Sequence, residues 1–231
     1  MRNDEDMLNV LRTVNQHSIP VGASYLSKEL HYSQATLGRI LFVCEEKGLL
    51  KKVSNKGRVI TEEGKKVLLT YMEQEKKIET AHKLIRRVGN ASKEDLIEII
   101  EIRKLLETKT AELACYNATD KEINELKGVL MEYLQSIYKG ELGNEQDRRI
   151  HLKIAELSRN KTLSNILDLI LTTDNSYTTF AVVTRSLEVD ITKWHTDIVE
   201  AIADRNPELA GNNMLKHLSL LEDGLKASLT E

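Results

Sequence analysis

One aspartate and three histidines are the residues of this sequence best suited to chemistry. Asp147 and His151 lie four residues apart in a segment whose apolar residues repeat at helical spacing, so both side chains project from one face. His195 and His217 each fall on the apolar stripe of a further predicted helix. A carboxylate and imidazoles that point into a core can bind one divalent metal ion together. A shared metal site is therefore one hypothesis for these four residues.

Two plainer interpretations of the same residues stay open at this point. A histidine on an apolar stripe is commonly a core residue that is hydrogen-bonded to a backbone carbonyl. An aspartate and a histidine four apart are also common as a surface pair. The metal hypothesis has one advantage, because each buried imidazole needs a polar partner and a single ion would satisfy all three.

The composition indicates a mainly α-helical protein that is large enough for two domains. Of 231 residues, 41% are hydrophobic and 30% are charged, and only 2 are proline. No apolar run reaches the roughly 20 residues that a membrane-spanning helix needs, and the N-terminus lacks the apolar core of a signal peptide. Cys44 and Cys115 lie on apolar helical faces, which predicts buried free thiols. We expect a cytoplasmic protein without a membrane segment.

Residues 1–61 carry the pattern of a winged helix-turn-helix domain. The predicted helices cover about 4–15, 23–30 and 34–47, and a basic two-stranded hairpin follows them. Ser33 is suited to cap the third helix and Gly48 to end it. In a domain of this kind the third helix enters the major groove of DNA, and the cations of the wing contact phosphates.

The DNA-contacting residues predicted from this pattern are Ser33, Gln34, Thr36 and Arg39 on the third helix, and Lys52, Lys56 and Arg58 on the wing. The charge distribution points the same way. Residues 1–60 contain 9 Lys and Arg against 6 Asp and Glu, whereas the rest of the chain contains 24 against 30. A basic head on an acidic body favours a polyanionic partner such as double-stranded DNA. The alternative is a winged helix that makes protein contacts.

After the head, a linker helix is predicted over 62–91 and an all-α helical bundle over 92–231. The sequence Gly89-Asn90-Ala91 ends the linker, and Ser92 with Asp95 has the pattern of a capping box. The predicted helices of the bundle cover about 93–116, 120–138, 145–158, 162–185, 188–204 and 207–228. The core of a helical bundle is a known place for metal and ligand sites.

Four stretches of the bundle resemble the FadR-type C-terminal (FCD) ligand-binding domain of GntR-superfamily transcriptional regulators. They are Arg103-Lys104-Leu105-Leu106-Glu107, Asp147-Arg148-Arg149-Ile150-His151, the run from Trp194 to Ile202, and Met214-Leu215-Lys216-His217-Leu218. Two features depart from that family. Ile150 stands where an aromatic residue is usual, and the head lacks the typical GntR signature.

The resemblance implies a ligand set and an effector. In that family an aspartate and three histidines at the positions of Asp147, His151, His195 and His217 bind a divalent metal, often zinc or nickel, and a small carboxylate effector or water completes the coordination. The resemblance also implies that Arg103 faces the pocket, where a guanidinium could bind the effector carboxylate. An ion pair between Arg103 and Glu107, one turn along the helix, is the alternative.

We therefore expect a mainly α protein with an N-terminal winged helix-turn-helix and a C-terminal FCD-like bundle. The expected function is that of a homodimeric transcriptional repressor that binds a DNA operator, Zn²⁺ or Ni²⁺, and a small carboxylate metabolite. A metal-dependent enzyme is the alternative of another class, because Asp/His sites with open positions also serve hydrolases and oxygenases. A regulator whose metal is purely structural is a third possibility. No catalytic residue is predicted.

Overall fold

The computed structural model describes residues 2–171 and 191–229, which form two compact units, Met1–Ala81 and His82–Glu231. The predicted linker is a single helix, Glu62–Gly89. Its first turns belong to the N-terminal unit because Leu68 is part of the core of the head and Val67 packs against that core. The head therefore extends beyond residue 61, and the division between the units falls inside the helix.

The N-terminal unit has the predicted order of three helices, a hairpin and a long helix. Its elements are α1 (Arg2–Asn15), α2 (Ala23–Leu30), α3 (Gln34–Glu46), β1 (Leu50–Lys52), β2 (Arg58–Ile60) and the larger part of α4 (Glu62–Gly89). Ser33 caps α3, since its side chain accepts the backbone N–H of Thr36 at 3.1 Å. The apolar side chains of these elements form one core, which consists of Val10, Leu11, Val14, Val21, Leu26, Leu37, Leu41, Cys44, Leu49, Leu50 and Leu68.

The wing is an antiparallel hairpin in which Leu50 pairs with Ile60 and Lys52 with Arg58. Ahead of α2, an isolated antiparallel bridge pairs Val21 with Arg58 of the wing. Gly57 has a φ of 128°, and a Cβ there would lie 2.5 Å from the carbonyl carbon of Val21. Only glycine fits both the backbone angle and the close approach, so this residue fixes the base of the wing.

The C-terminal unit is all-α over the residues that the structure describes. Its helices are α5 (Lys93–Asn117), α6 (Asp120–Tyr138), α7 (Asn144–Leu157), α8 (Lys161–Leu171), α9 (Ile191–Ala203) and α10 (Pro207–Ala227). The predicted capping box is present, because Ser92 and Asp95 exchange hydrogen bonds at the start of α5. Parts of the helices predicted over 162–185 and 188–204 fall on 172–190, which lie outside the described residues.

The core of this unit lies where α5, α6, α7, α9 and α10 meet. Helix α10 packs along α5, while α9 packs against α10 and α6, and α7 packs against α5 and α6. Both cysteines are buried free thiols, as predicted, and burial raises the pKa of each thiol to about 11. Among the described helices none combines the length and the apolar content that crossing a membrane requires.

Candidate metal centre and DNA-binding surface

Three helices bring the four predicted ligand residues together in the core of the C-terminal unit. Helix α7 supplies Asp147 and His151, α9 supplies His195 and α10 supplies His217. One potential ligand atom from each of the four residues lies within 4.8 Å of the others. The apolar neighbours of each histidine hold it there, since Ile150, Ile154, Ile198, Ile202, Met214 and Leu218 are all completely buried. The helical periodicity that predicted the inward faces thus accounts for the burial of the histidines, and the packing of the three helices brings them together.

The imidazole rings pack closely against one another. The ring of His195 lies 4.5 Å from that of His217 and 5.5 Å from that of His151, measured between centroids, and His151 and His217 are 5.2 Å apart. The ring of Tyr133, on α6, closes the cluster at 4.7 Å from His195. Asp147 is the most accessible member, with 22% of its side chain exposed, so solvent reaches the cluster on its side.

Several nitrogens of this cluster are buried without a hydrogen-bond partner among the described residues. They include Nε2 of His151 and both ring nitrogens of His195. Nε2 of His195 lies 2.8 Å from Oδ1 of Asp147, but the contact does not have hydrogen-bond geometry. Buried polar atoms are nearly always satisfied in folded proteins. A cation held between the imidazole nitrogens and the carboxylate would satisfy them, so the residues present fit a divalent metal.

The protonation states of His217 and Asp147 suit metal binding. Burial lowers the pKa of His217 well below its usual value, and the neighbouring imidazoles of His195 and His151 lower it further, so His217 is neutral at pH 7. Burial raises the pKa of Asp147, but His195, His151 and His217 lower it by more, and the carboxyl remains ionised. A neutral imidazole and a carboxylate are the forms that coordinate a metal.

The orientation of His151 is set by Glu107, a residue on α5 that the sequence analysis did not assign to the site. The carboxylate Oε2 of Glu107 is hydrogen-bonded to Nδ1 of His151, and both side chains are almost completely buried. Because Nδ1 is engaged by a carboxylate, it carries the proton, and Nε2 faces Asp147 as a free acceptor. Glu107 therefore holds the tautomer that a metal ligand requires.

Arg103 completes this chain of contacts. Its Nε donates to Oε1 of Glu107 at 2.5 Å, and only 1% of its side chain is exposed. Burial raises the pKa of Glu107, but Arg103 and His151 lower it by more, to about 2. The ion pair that the sequence left open as an alternative is thus formed. The same guanidinium helps to lower the pKa of His217, so its charge also acts on the cluster.

A signal for Glu107 was present in the sequence. It lies four residues after Arg103 and three before the buried Thr110, on the same inward face of α5. A buried carboxylate needs a cation or several donors, which makes an inward-facing Arg/Glu pair a marker of a polar core. Tyr133 gave no comparable signal, because a tyrosine on the buried stripe of α6 is compatible with ordinary packing.

In the head, the predicted base-reading residues lie at the start of α3 and are exposed. Gln34 and Arg39 are accessible to solvent. Ser33 and Thr36 are exposed as well, but their hydroxyl oxygens lie 2.8 Å apart, and that of Ser33 also caps the helix. Gln34 and Arg39 are therefore the better candidates for base contacts, while Ser33 and Thr36 keep the start of α3 in place.

The wing contains two kinds of cation. Lys52 and Lys56 are exposed. Arg58 is not, because its Nε and Nη2 lie 3.0 and 2.9 Å from Oε2 of Glu45 on α3, and its side chain is only 19% exposed. The predicted phosphate contact of Arg58 therefore competes with an ion pair that ties the wing to the end of the recognition helix.

Two family models match this chain. The model of the FCD domain covers residues 98–220, more than half of the chain and all four members of the polar cluster. The model of the ribonuclease R winged-helix domain covers residues 8–68. The second match agrees with the winged-helix fold of the head and with its departure from the usual GntR signature.

Two curated proteins are similar over more than half of the chain. The HTH-type transcriptional regulator LutR of Bacillus subtilis is 31% identical over 144 residues, which are 60% of this chain and 66% of LutR. The Uxu operon regulator of Haemophilus influenzae is 29% identical over 126 residues, which are 52% of this chain and 47% of that protein. The chain thus spans between about half and two thirds of the length of these relatives.

Solved structures of similar fold cover nearly the whole chain. E. coli McbR/YncC has a TM-score of 0.52 at 14% identity, with coverage of 99% of this chain and 97% of that one. Lar, which controls the expression of the Listeria monocytogenes agr system, has a TM-score of 0.52 at 14% identity and covers 97% of this chain and 96% of its own. At such identities the likeness concerns the fold alone.

Proposed function

This chain belongs to the FCD-domain transcriptional regulators of the GntR superfamily, and from that premise we propose that it is a metal-dependent sensor of a small carboxylate. Under this proposal a divalent ion binds Asp147, His151, His195 and His217. The carboxylate binds beside it and changes the affinity of the heads for an operator. The observation that carries the proposal is the set of buried imidazole nitrogens without hydrogen-bond partners around Asp147.

Zn²⁺ or Ni²⁺ is the proposed ion. Three imidazoles and one carboxylate suit both metals and do not select sharply between them. The ion, when bound, supplies positive charge and open coordination positions for an anion. The chain's own contribution is to keep His151 in the correct tautomer through Glu107, to keep His217 neutral by burial, and to hold the four ligands on rigid helices.

Arg103 is the proposed second contact of the carboxylate. Its Nε is used by Glu107, so the contact would come from the other N–H groups of the guanidinium, which presents five donors in a fixed fork. Arg103 is buried and contacts Glu107, which in turn contacts His151, so its charge lies beside the cluster and would favour an anion there. The ion pair with Glu107 would then orient the guanidinium rather than exclude the effector.

On the DNA side, Gln34 and Arg39 would contact base edges, and Lys52 and Lys56 would contact phosphates. Ser33 and Thr36 position the helix, and Arg58 positions the wing. We propose that two copies bind one operator as a homodimer, since two-fold proteins match two half-sites of a palindromic operator. Repression is the proposed mode of action.

Calorimetry on the metal-loaded protein tests the sensor. Citrate, lactate, malate and similar acids are titrated into the wild type and into Arg103→Lys, which keeps a cation beside Glu107 but loses the bidentate fork. Arg149→Lys is the matched control, because Arg149 pairs with Glu132 on the surface. We expect at least one acid to bind, to bind more weakly to Arg103→Lys alone, and to change operator affinity. If no acid binds, or if binding leaves operator affinity unchanged, the sensor proposal fails and the metal is structural.

A further inference from the structure

The middle of α4 is exposed on all sides. Every residue from 72 to 87 is accessible to solvent, including the large apolar side chains of Ile78 and Ile85, which are 57% and 47% exposed. Most of the stability of a helix in a protein comes from packing of its apolar face rather than from helix propensity. More than four turns of this helix lack that contribution within one copy of the chain, over the residues that the structure describes.

The uncharged residues of α4 follow a seven-residue repeat. Tyr71, Ile78 and Ile85 are seven apart, and so are the four residues that fall between and beside them. These are Val67, Gln74, Ala81 and Val88. The alternating spacing of three and four residues puts all seven on one stripe, at the a and d positions of a coiled-coil heptad. None of the seven is charged, whereas Glu, Lys or Arg occupies eight of the fifteen other positions between 67 and 88.

The two ends of this stripe are already covered by the chain itself. Val67 packs against the core of the N-terminal unit, and Val88 is part of the core of the C-terminal unit. The uncovered part runs from Gln74 to Ile85 and contains two a and two d positions. Exposed, uncharged side chains at a and d positions are the pattern by which a helix packs against a second helix in a coiled coil.

We infer that α4 pairs with α4 of a second copy as a parallel, two-stranded coiled coil. The stripe is complementary to itself, because a parallel pair in register places each a and d residue next to its own copy. Isoleucine at the a positions is typical of parallel two-stranded coiled coils, and the small Ala81 at d lets the helices approach. A parallel pair also keeps both N-terminal heads at one end, as binding to one DNA duplex requires. The inference rests on the homodimer proposed above.

Cysteine cross-linking on the full-length protein tests this pairing. Ile78→Cys would place two thiols side by side across the pair, whereas Thr80→Cys lies on the opposite side of the helix, where Thr80 is exposed. Cys44 and Cys115 can stay, because both are buried. Under mild oxidation we expect a disulfide-linked dimer in nearly all of the Ile78→Cys protein and in little of the Thr80→Cys protein.

The possible results separate this inference from the proposed dimer. A protein that sediments as a dimer but does not cross-link through residue 78 pairs elsewhere, which overturns the coiled coil and leaves the dimer intact. Equal cross-linking at both positions indicates random collision and also overturns it. A monomer at the concentrations that bind operator overturns both. As a second measurement, Ile85→Glu should weaken dimerisation at least about tenfold, and Thr80→Glu should not; equal effects of the two would contradict the pairing.

Discussion

The core of the C-terminal unit and the surface of the head place their functional residues in opposite ways. In the core, Asp147 and three histidines are held by surrounding apolar side chains, and they converge although they come from three helices. On the surface of the head, the predicted residues come from two consecutive parts of the chain, α3 and the wing, yet the structure gives them different tasks. Gln34 and Arg39 are exposed, whereas Arg58 is engaged by Glu45.

The difference shows what fixes a polar side chain in each setting. A buried polar group must find a partner, because leaving it unsatisfied costs about 1–3 kcal/mol, so a polar side chain on the inward face of a helix is held firmly in its place. An exposed lysine or arginine has water as an alternative partner, and a surface ion pair contributes at most about 1 kcal/mol. Loss of a core residue should therefore affect the site as a whole, while loss of a surface residue should affect one contact.

The largest effect is expected for His151→Ala, which removes one ligand and should abolish metal binding at this site. In the wild type, metal at one hundred times its Kd stabilises the fold by about 2.7 kcal/mol, because only the native state has the site. In the variant, metal-loaded and chelator-treated protein should have the same free energy of unfolding. The cavity left by the substitution lowers the stability of both forms alike, so it does not affect this comparison. Elemental analysis measures the metal content, and thermal melts measure the stability. The exposed His82 provides the control as His82→Ala. An unchanged metal content in His151→Ala would reject the ligand assignment.

Glu107→Gln should have the next largest effect, because an amide no longer fixes which ring nitrogen of His151 carries the proton. The substitution keeps the shape of the side chain, so the packing should change little. Residues that orient a ligand in this way typically change metal affinity about 10–100-fold. Metal titrations measure the affinity, and ¹⁵N NMR of the His151 ring reports which nitrogen carries the proton. Glu112→Gln, which breaks a surface pair with Lys109 on the same helix, is the control. If Glu107→Gln binds metal as tightly as the control, Glu107 is only a structural partner of Arg103.

In the head, Arg39→Ala should weaken binding to the specific operator by about 1–3 kcal/mol, if the guanidinium contacts a guanine through two hydrogen bonds. Binding to unrelated DNA should change much less, since base contacts carry the sequence preference. Titrations with operator and scrambled duplex measure the ratio of the two affinities. The exposed Lys47 near the end of the same helix provides the control as Lys47→Ala. Equal losses on both duplexes would show that Arg39 contacts phosphate instead.

The smallest expected effect is a difference between the exposed and the paired cations of the wing in the salt dependence of DNA binding. Lys56→Ala should weaken all DNA sequences alike and reduce the salt slope by roughly one unit for the lost phosphate contact. Arg58→Ala should reduce the salt slope by less, because its guanidinium is held by Glu45, but it should lower the melting temperature of the head by removing that ion pair. Affinities at several salt concentrations, together with melts, distinguish these outcomes. If Arg58→Ala reduces the salt slope by a full unit, Arg58 leaves Glu45 and contacts a phosphate when the protein binds DNA.

Much of the fold was predictable because its signals are local. Examples are the cap of α3 by Ser33, the Ser92/Asp95 capping box and the positive φ of Gly57 in the wing. Each of these features depends on residues only a few positions apart in the chain. The inward faces of α7, α9 and α10 follow from apolar periodicity, which is also local. These features were sufficient to predict a winged helix-turn-helix followed by a helical bundle, and to select Asp147 and the three histidines.

The partners of side chains across elements were decided only by the tertiary structure. That Glu107 pairs with His151 depends on how α5 packs beside α7. That Arg58 pairs with Glu45 depends on how the wing folds back towards α3. Sequence periodicity tells which face of a helix is buried, because burial is set by the chain's own apolar residues. It does not tell which residues of another helix meet that face, because that choice is settled by the packing of the whole core at once.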